Sequence, residues 1–258
     1  MNLLLLDEND RIRGESFRIM DGPDGRLRHL RTILKIEPGQ VLRAGLLSTA
    51  YGEAHVTEIT NDAVYLEARW NEIPPPRPDI DVLLALPRPR LVKRLLPELT
   101  ALGLRRLIFT ATERVEKAYF GATALRSEVY RPFLLEGLAQ ARLVHLPSVD
   151  IDRHFLRFIE EHVPKHYAGH DRLAAHPSAS TDLACTPLSF ARPILIAIGP
   201  EGGFIESEIE ALAAAGFSIV HMSQKVLRVE TACVAMLAQV DLLRRQHRVS
   251  LLNERASS

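Results

Sequence analysis

Cysteine is scarce in this chain, with only Cys185 and Cys233 among 258 residues. Two cysteines cannot build a disulfide framework, so a reducing, cytoplasmic setting is expected. No apolar run approaches the roughly 20 residues needed to cross a bilayer. The opening MNLLLLDEND has four leucines followed by acids. It lacks a basic segment and a small-residue cleavage site, so neither a signal peptide nor an anchor is expected. Net charge is also missing, since 32 Lys plus Arg meet 32 Asp plus Glu, and that balance excludes a general polyanion coat. The P-loop, Gly-x-Gly-x-x-Gly and Gly-x-Ser-x-Gly patterns are absent.

What is present suits a folded protein: 47% of residues are apolar and 25% charged, enough for one large domain or two smaller ones. Charge is gathered locally. Residues 11–35 hold seven basic residues against three acidic ones, and residues 87–106 hold six against one. Two basic islands in a neutral protein point to a directed anionic partner or to solvated surface. Prolines 74, 75, 76 and 78 mark a semi-rigid linker over 74–79. Before it, short apolar runs between turn signals predict a small, mostly β domain over 1–73. After it, strands over Ile80–Leu86, Leu107–Ala111, His166–Gly169, Ile194–Ile198 and Ser218–Met222 alternate with helical patterns. These predict an α/β domain with a parallel sheet over 80–250. Pro97 is expected to kink or restart the first of these helices. A frayed tail is expected over 251–258.

Three segments carry chemistry. In Ile194–Leu212 an apolar strand runs into Gly199-Pro200-Glu201-Gly202-Gly203, then a helix. Loops at strand C-termini form the ligand crevice of open α/β sheets. Without a Lys, and with a carboxylate at Glu201, this loop suits a neutral or cationic ligand better than a phosphate; an ordinary tight turn is the plain alternative. In His221–Gln239, Arg228 lies just before a helix that Glu230 or Thr231 can cap. Together, the guanidinium and the helix N-terminus can stabilise developing negative charge; a surface Arg228–Glu230 ion pair is the plain alternative. In Tyr167–Arg172, His170 and Asp171 read more readily as a turn than as an acid–base pair. His162, His166 and His170 are spaced by four, but Pro164 and Gly169 interrupt any shared helix face, so no metal site is expected.

Taken together, IGPEGGF at Ile198–Phe204, VLRVETA at Val226–Ala232 and RHLRTILKIEPGQ at Arg28–Gln40 resemble the bacterial 16S rRNA (uracil-N3) methyltransferases of the SPOUT superfamily. The resemblance spans nearly the whole chain. It implies a PUA-like β-barrel domain followed by a parallel sheet with a C-terminal trefoil knot. It also implies S-adenosyl-L-methionine as cofactor, a homodimer through the C-terminal domain, and 16S rRNA or the small ribosomal subunit as partner, without metal or membrane. The cofactor residues it implies are Gly169, His170, Ile198, Gly199, Pro200, Gly202, Gly203, Met222, Ser223, Val226, Leu227 and Thr231. Arg228, Glu201 and Glu230 become the catalytic candidates. Arg26, Arg28, His29, Arg31, Arg88, Arg90 and Lys93 become the RNA-binding ones. Departures from the family pattern at Ala101, Ala139 and Ser223 leave two alternatives open: the same chemistry on another RNA or nucleotide, or a non-catalytic assembly factor.

Overall fold

The N-terminal leucine run is explained by period-2 burial. In the computed structural model, residues 2–22, 24–186, 189 and 192–256 are described, with 248–256 described by backbone alone. Leu4–Leu6 is strand β1. Leu4 and Leu6 point into one apolar cluster with Phe17, Ile19, Leu30, Val56, Val64 and Leu66. Leu3 and Leu5 point into another with Tyr51, Leu138 and Val144. A strand covered on both faces must be apolar throughout, which is why four leucines stand in a row at 3–6.

The chain forms two units, one of Met1–Pro78 with Ser127–Leu146, the other of Asp79–Arg126 with Pro147–Ser258. The first is built on β1, β2 (Arg11–Arg13), β3 (Ser16–Met20), β4 (Val41–Leu46), β5 (Ala50–Ile59) and β6 (Ala63–Glu72). These form one sheet in the order β1-β4-β5-β6-β3-β2. β1 pairs parallel with β4, and the remaining pairs are antiparallel. The helix Ser127–Ala141 belongs with this unit, although sequence order had assigned it to the 80–250 domain. Its Leu138, with Val144 beyond it, covers Leu3 and Leu5, and Arg131 pairs with Asp7 at 2.5 Å. Contacts distant in sequence outweighed chain continuity.

The second unit carries a seven-stranded sheet of β7 (Ile80–Ala85), β8 (Leu104–Thr110), β9 (Ser148–Asp152), β10 (Asp171–Ala175), β11 (Thr181–Asp182), β12 (Ile194–Ile198) and β13 (Ser218–His221). Every pair is parallel, in the order β11-β13-β10-β12-β7-β8-β9. β7 and β12 are buried at every position, as expected of strands sandwiched between helices. The turns over 155–166 and the helix Glu206–Ala214 contribute Phe155, Phe158, Ile159, Val163 and Leu212 to a core with Leu83, Ile108, Ala174, Leu195 and Ala197. The helix Pro89–Ala101 packs against β8 and against the long helix Val229–Ala256.

Several expectations change. The helix Pro89–Ala101 runs through Pro97 without restarting; burial of Val92, Leu95, Leu96 and Leu99 outweighs the lost backbone bond. His166–Gly169 is not a strand: Val163–His166 is helical and β10 begins at Asp171. The final helix reaches Ala256, so the expected tail is helical up to there, and its last two residues lie outside the described ones.

Gly45, in β4, allows the segment around Val144 to lie against the sheet. A Cβ at Gly45 would overlap Val144 Cγ1 and come within 3.3 Å of Leu3 Cδ2. Gly45→Val is expected to cost about 1–3 kcal/mol through overpacking. Urea unfolding checks this; an unchanged midpoint would show that the 127–146 segment does not rest on β4.

Candidate functional site

β13, β10 and β12 are neighbours and parallel, so the loops after them open at the same edge of the sheet. There, Ala175–Ser178 after β10, Ile198–Phe204 after β12 and Met222–Leu227 after β13 line one cavity of about 240 Å³. The backbone of the Gly-rich loop is held in three ways. The Gly203 N–H donates to the Pro200 carbonyl at 2.8 Å, and Gly203 has φ +73°, a conformation glycine adopts without strain. Phe204 is buried and stacks on Phe155 with ring centroids 5.6 Å apart. A Cβ at Gly199 would lie 3.1 Å from the Phe204 nitrogen. On the facing loop, the Lys225 N–H donates to Ser223 Oγ at 3.0 Å, and Gln239 Nε2 donates to the Met222 carbonyl at 3.1 Å.

The sequence-predicted cofactor residues Ile198, Gly199, Pro200, Gly202, Gly203, Met222, Ser223, Val226 and Leu227 all line this cavity, with Glu201 among them. Gly169, His170 and Thr231 do not. Gly169 and His170 precede β10 and so lie at the opposite end of that strand; the loop that does arrive is 175–178, bringing His176. Thr231 is exposed on the last helix. The helix opens at Val229, two or three residues earlier than a cap at Glu230 or Thr231 would place it, and the Arg228 carbonyl accepts the Ala232 N–H at 2.8 Å. Arg228 is therefore an exposed residue at the helix entrance, between cavity-lining Leu227 and Val229. Among the described residues no carboxylate pairs with it, so the expected alternative of an Arg228–Glu230 ion pair is not formed.

Two residues escaped the sequence reading. Arg114, from the loop after β8, lines the cavity and donates from Nη1 to the Gly202 carbonyl. A Cβ at Gly202 would approach Arg114 Cδ to 2.9 Å. Glu208 is 3% exposed. Its carboxylate accepts the Glu113 N–H at 2.7 Å and the Ile205 N–H at 2.9 Å, tying the loop that bears Arg114 to the helix after the Gly-rich loop. The only sequence trace of this was an acid three residues into a helix, which also reads as a simple capping box.

His170 instead joins a charge network at the other edge of the sheet. Asp81, buried at the start of β7, receives two bonds from Arg105 at 2.7 and 2.6 Å, and Arg105 Nη2 lies 2.8 Å from His170 Nε2. Burial, then the neighbouring Arg105, hold the His170 pKa below its ordinary value. Arg106 pairs with Asp150 at 2.7 Å. The 87–106 island thus spends two arginines on internal pairing and exposes Arg88, Arg90, Lys93 and Arg94. The Arg88 backbone N–H donates to Glu201 Oε1 at 3.4 Å. In the N-terminal island, Arg26 is not presented to a partner. It is bonded to Asp10 at 2.6 and 2.9 Å, to Asp24 at 2.5 Å and to the Leu5 carbonyl. Arg28 is exposed, His29 Nε2 is buried without a partner among the described residues, and Arg31 donates to the Asn61 carbonyl at 2.5 Å. Cys233 is buried in the last helix, which pushes its thiol up to about 12, so it is unreactive there.

Two outcomes are expected. Glu208→Ala leaves two backbone donors short of their acceptor and is expected to cost about 2 kcal/mol or more in chemical denaturation; a cost near zero would mean water replaces the carboxylate. The second concerns pH. Above the ordinary histidine pKa of 6.5, folded and unfolded chains both hold His170 neutral. As pH falls through that value the unfolded chain takes up a proton the fold resists, so stability is lost on acidification. Melting temperatures of wild type and His170→Gln between about pH 7 and pH 5 check this: the variant's slope is expected to be flatter, and an unchanged slope would exclude His170 as its source.

Comparison with known proteins bears on this site directly. The chain is 28% identical over 250 residues to the ribosomal RNA small subunit methyltransferase E of Treponema pallidum, covering 93% of this chain and 90% of the relative. It is 25% identical to ribosomal RNA small subunit methyltransferase E 1 of Borreliella burgdorferi, covering 91% and 95%. Its fold is similar to that of a Legionella pneumophila methyltransferase solved with S-adenosylmethionine bound, with a TM-score of 0.77, 19% identity and coverage of 93% and 97%. The corresponding Neisseria gonorrhoeae ribosomal RNA small subunit methyltransferase E, also bound to S-adenosylmethionine, gives a TM-score of 0.72, 20% identity and coverage of 94% and 98%. A family model described as the RNA methyltransferase domain matches residues 74–241, a span that contains the whole cavity; the chain belongs to that RNA methyltransferase family.

Proposed function

We propose that this chain is an S-adenosylmethionine-dependent methyltransferase of ribosomal RNA, and that its target is N3 of a uridine in the 16S rRNA of the small subunit. The observation that carries the reading is the cavity formed by three backbone loops at the strand C-termini. Its residues fit this cofactor. Gly199 and Gly202 leave room where side chains would not fit, and Ile198, Phe204, Val226 and Leu227 supply apolar walls. The Gly-rich loop carries Glu201 and no Lys, in keeping with a ligand that has a cationic sulfonium and no phosphate. When bound, S-adenosylmethionine supplies an electrophilic methyl group. Support for a ribosomal RNA substrate comes from the names of the curated relatives.

In this proposal the protein positions the reactants and handles charge. The ring N–H of uracil gives up its proton as the nitrogen takes the methyl group. Glu201, exposed at the rim of the cavity, is the acceptor for that proton. Arg228, unneutralised among the described residues at the entrance of a helix whose N-terminus is itself positive, stabilises the negative charge that develops on the base as the proton leaves, before the methyl group is bound. Glu230, on the first turn, completes the catalytic group.

The same reading includes a trefoil knot. It is supported by β13 lying between β10 and β11, so that the chain after β12 must pass the connection between those two strands. It also includes a PUA-like role for the first unit, with Arg28, His29 and Arg31 as its RNA contacts; on the second unit, by itself, Arg88, Arg90 and Lys93 take that role. Finally it includes a homodimer through the C-terminal unit, for which exposed Leu242 offers apolar surface. Light scattering at micromolar concentration is expected to give twice the monomer mass.

The primary test is mass spectrometry of nucleosides from a strain lacking the protein. Loss of 3-methyluridine from 16S rRNA is expected; loss of a different methylated nucleoside would redirect the substrate. Arg228→Ala is expected to slow single-turnover methyl transfer by about 100-fold or more while cofactor affinity barely changes. An intact saturated rate with weaker RNA binding would make Arg228 a phosphate contact. Gly202→Val is expected to weaken cofactor binding far more than folding, because its branched side chain meets Arg114. Wild-type affinity in that variant would leave the loop a mere turn.

A further inference from the structure

We propose that Arg114 recognises the carboxylate of the cofactor's aminoacyl group, making it a specificity-determining residue of the cavity; the proposal rests on the S-adenosylmethionine reading above. Arg114 and Lys225 are the two side chains lining the cavity that are cationic at neutral pH. They differ in how they are held. Both are exposed, and the bond of Lys225, on the loop after β13, to Ser223 is made by its backbone. Arg114 is fixed at three points. The N–H of the preceding residue, Glu113, donates to the buried Glu208 carboxylate at 2.7 Å. Its aliphatic stem lies against Gly202, with Cδ 2.9 Å from where a Cβ would stand. Its Nη1 donates to the Gly202 carbonyl.

A guanidinium has five N–H donors in a planar fork. One of Arg114's is used on Gly202, and among the described residues no carboxylate lies within ion-pair distance of it, although Glu201 is the next residue along the same loop. The structure therefore holds a positive charge at the cavity, oriented but not neutralised. Nothing about folding requires this: the helix after the loop is already capped by Glu208, and Phe204 already anchors the loop in the core. An oriented fork with spare donors suits a carboxylate, which accepts two parallel N–H bonds. S-adenosylmethionine carries one anionic group, its carboxylate. The sulfonium and the amine are cationic and would be repelled by Arg114, so the same charge also sets which end of the ligand faces the loop after β8.

The test compares two ligands by calorimetry: S-adenosylmethionine and its decarboxylated form, which keeps the sulfonium, amine and nucleoside. Wild type is expected to prefer the intact cofactor by roughly 10- to 100-fold, the scale of a charge-assisted hydrogen bond. Arg114→Met is expected to abolish that preference, mainly by weakening the intact cofactor, and Arg114→Lys to restore part of it. The ratio of the two affinities is the readout, because loss of the Gly202 contact alone lowers both together. A ratio unchanged in Arg114→Met, whether both affinities fall or neither does, overturns the proposal and leaves Arg114 a support for the loop. Failure of wild type to bind either ligand overturns the cofactor reading, and this proposal with it.

Discussion

The site depends on three parallel strands lying side by side. β13, β10 and β12 are consecutive neighbours in the second sheet and run in one direction, so the chain leaves all three at the same edge. An antiparallel neighbour would send one of these loops to the far side. Parallel pairing in turn requires long crossovers, and these supply the helices that cover both faces and bury β7 and β12 completely. Loop convergence and core formation are thus two results of one topology.

Within that frame, the cavity is shaped mainly by backbone. Gly199, Gly202 and Gly203 let one loop fold tightly over Phe204 and receive Arg114, while Glu208 fastens the loop after β8 to the next helix. A buried carboxylate that accepts two backbone N–H groups offsets its own desolvation and restrains two segments 95 residues apart. The result is a largely apolar cavity with the charged side chains of Arg114, Glu201 and Lys225 among its lining. That distribution suits a reaction in which alignment contributes most of the catalysis and a small amount of charge must be stabilised where it forms.

The opposite edge of the sheet uses charge differently. Asp81, Arg105 and His170, together with Arg106 and Asp150, form pairs among the starts of β7, β8, β9 and β10. In the first unit, Arg26 does similar work between Asp10 and Asp24. These are structural pairings, and they consume part of both basic islands. The side chains left exposed, such as Arg28, Arg88 and Arg90, are fewer than a count of basic residues along the chain implies.

The amino-acid sequence alone determined the local and periodic features. Ile194–Ile198 reads as a buried strand because five consecutive apolar residues cannot face water, and it is one, residue for residue. The glycines, the loop–helix junction at Arg228, the β-rich first unit and the linker prolines are likewise chemical properties of short segments, and the motifs they form were specific enough to indicate the family. Tertiary structure alone decided which segments meet. His170 and Ser178 lie at opposite ends of one five-residue strand, and nothing local reveals which end faces the Gly-rich loop. Arg114 and Glu208 are separated from their partners by 88 and 95 residues, and the helix Ser127–Ala141 left its sequence neighbours for Leu3 and Leu5. Such contacts depend on strand order and direction, set by the packing of the whole chain, whereas propensity and periodicity report only on residues a few positions apart.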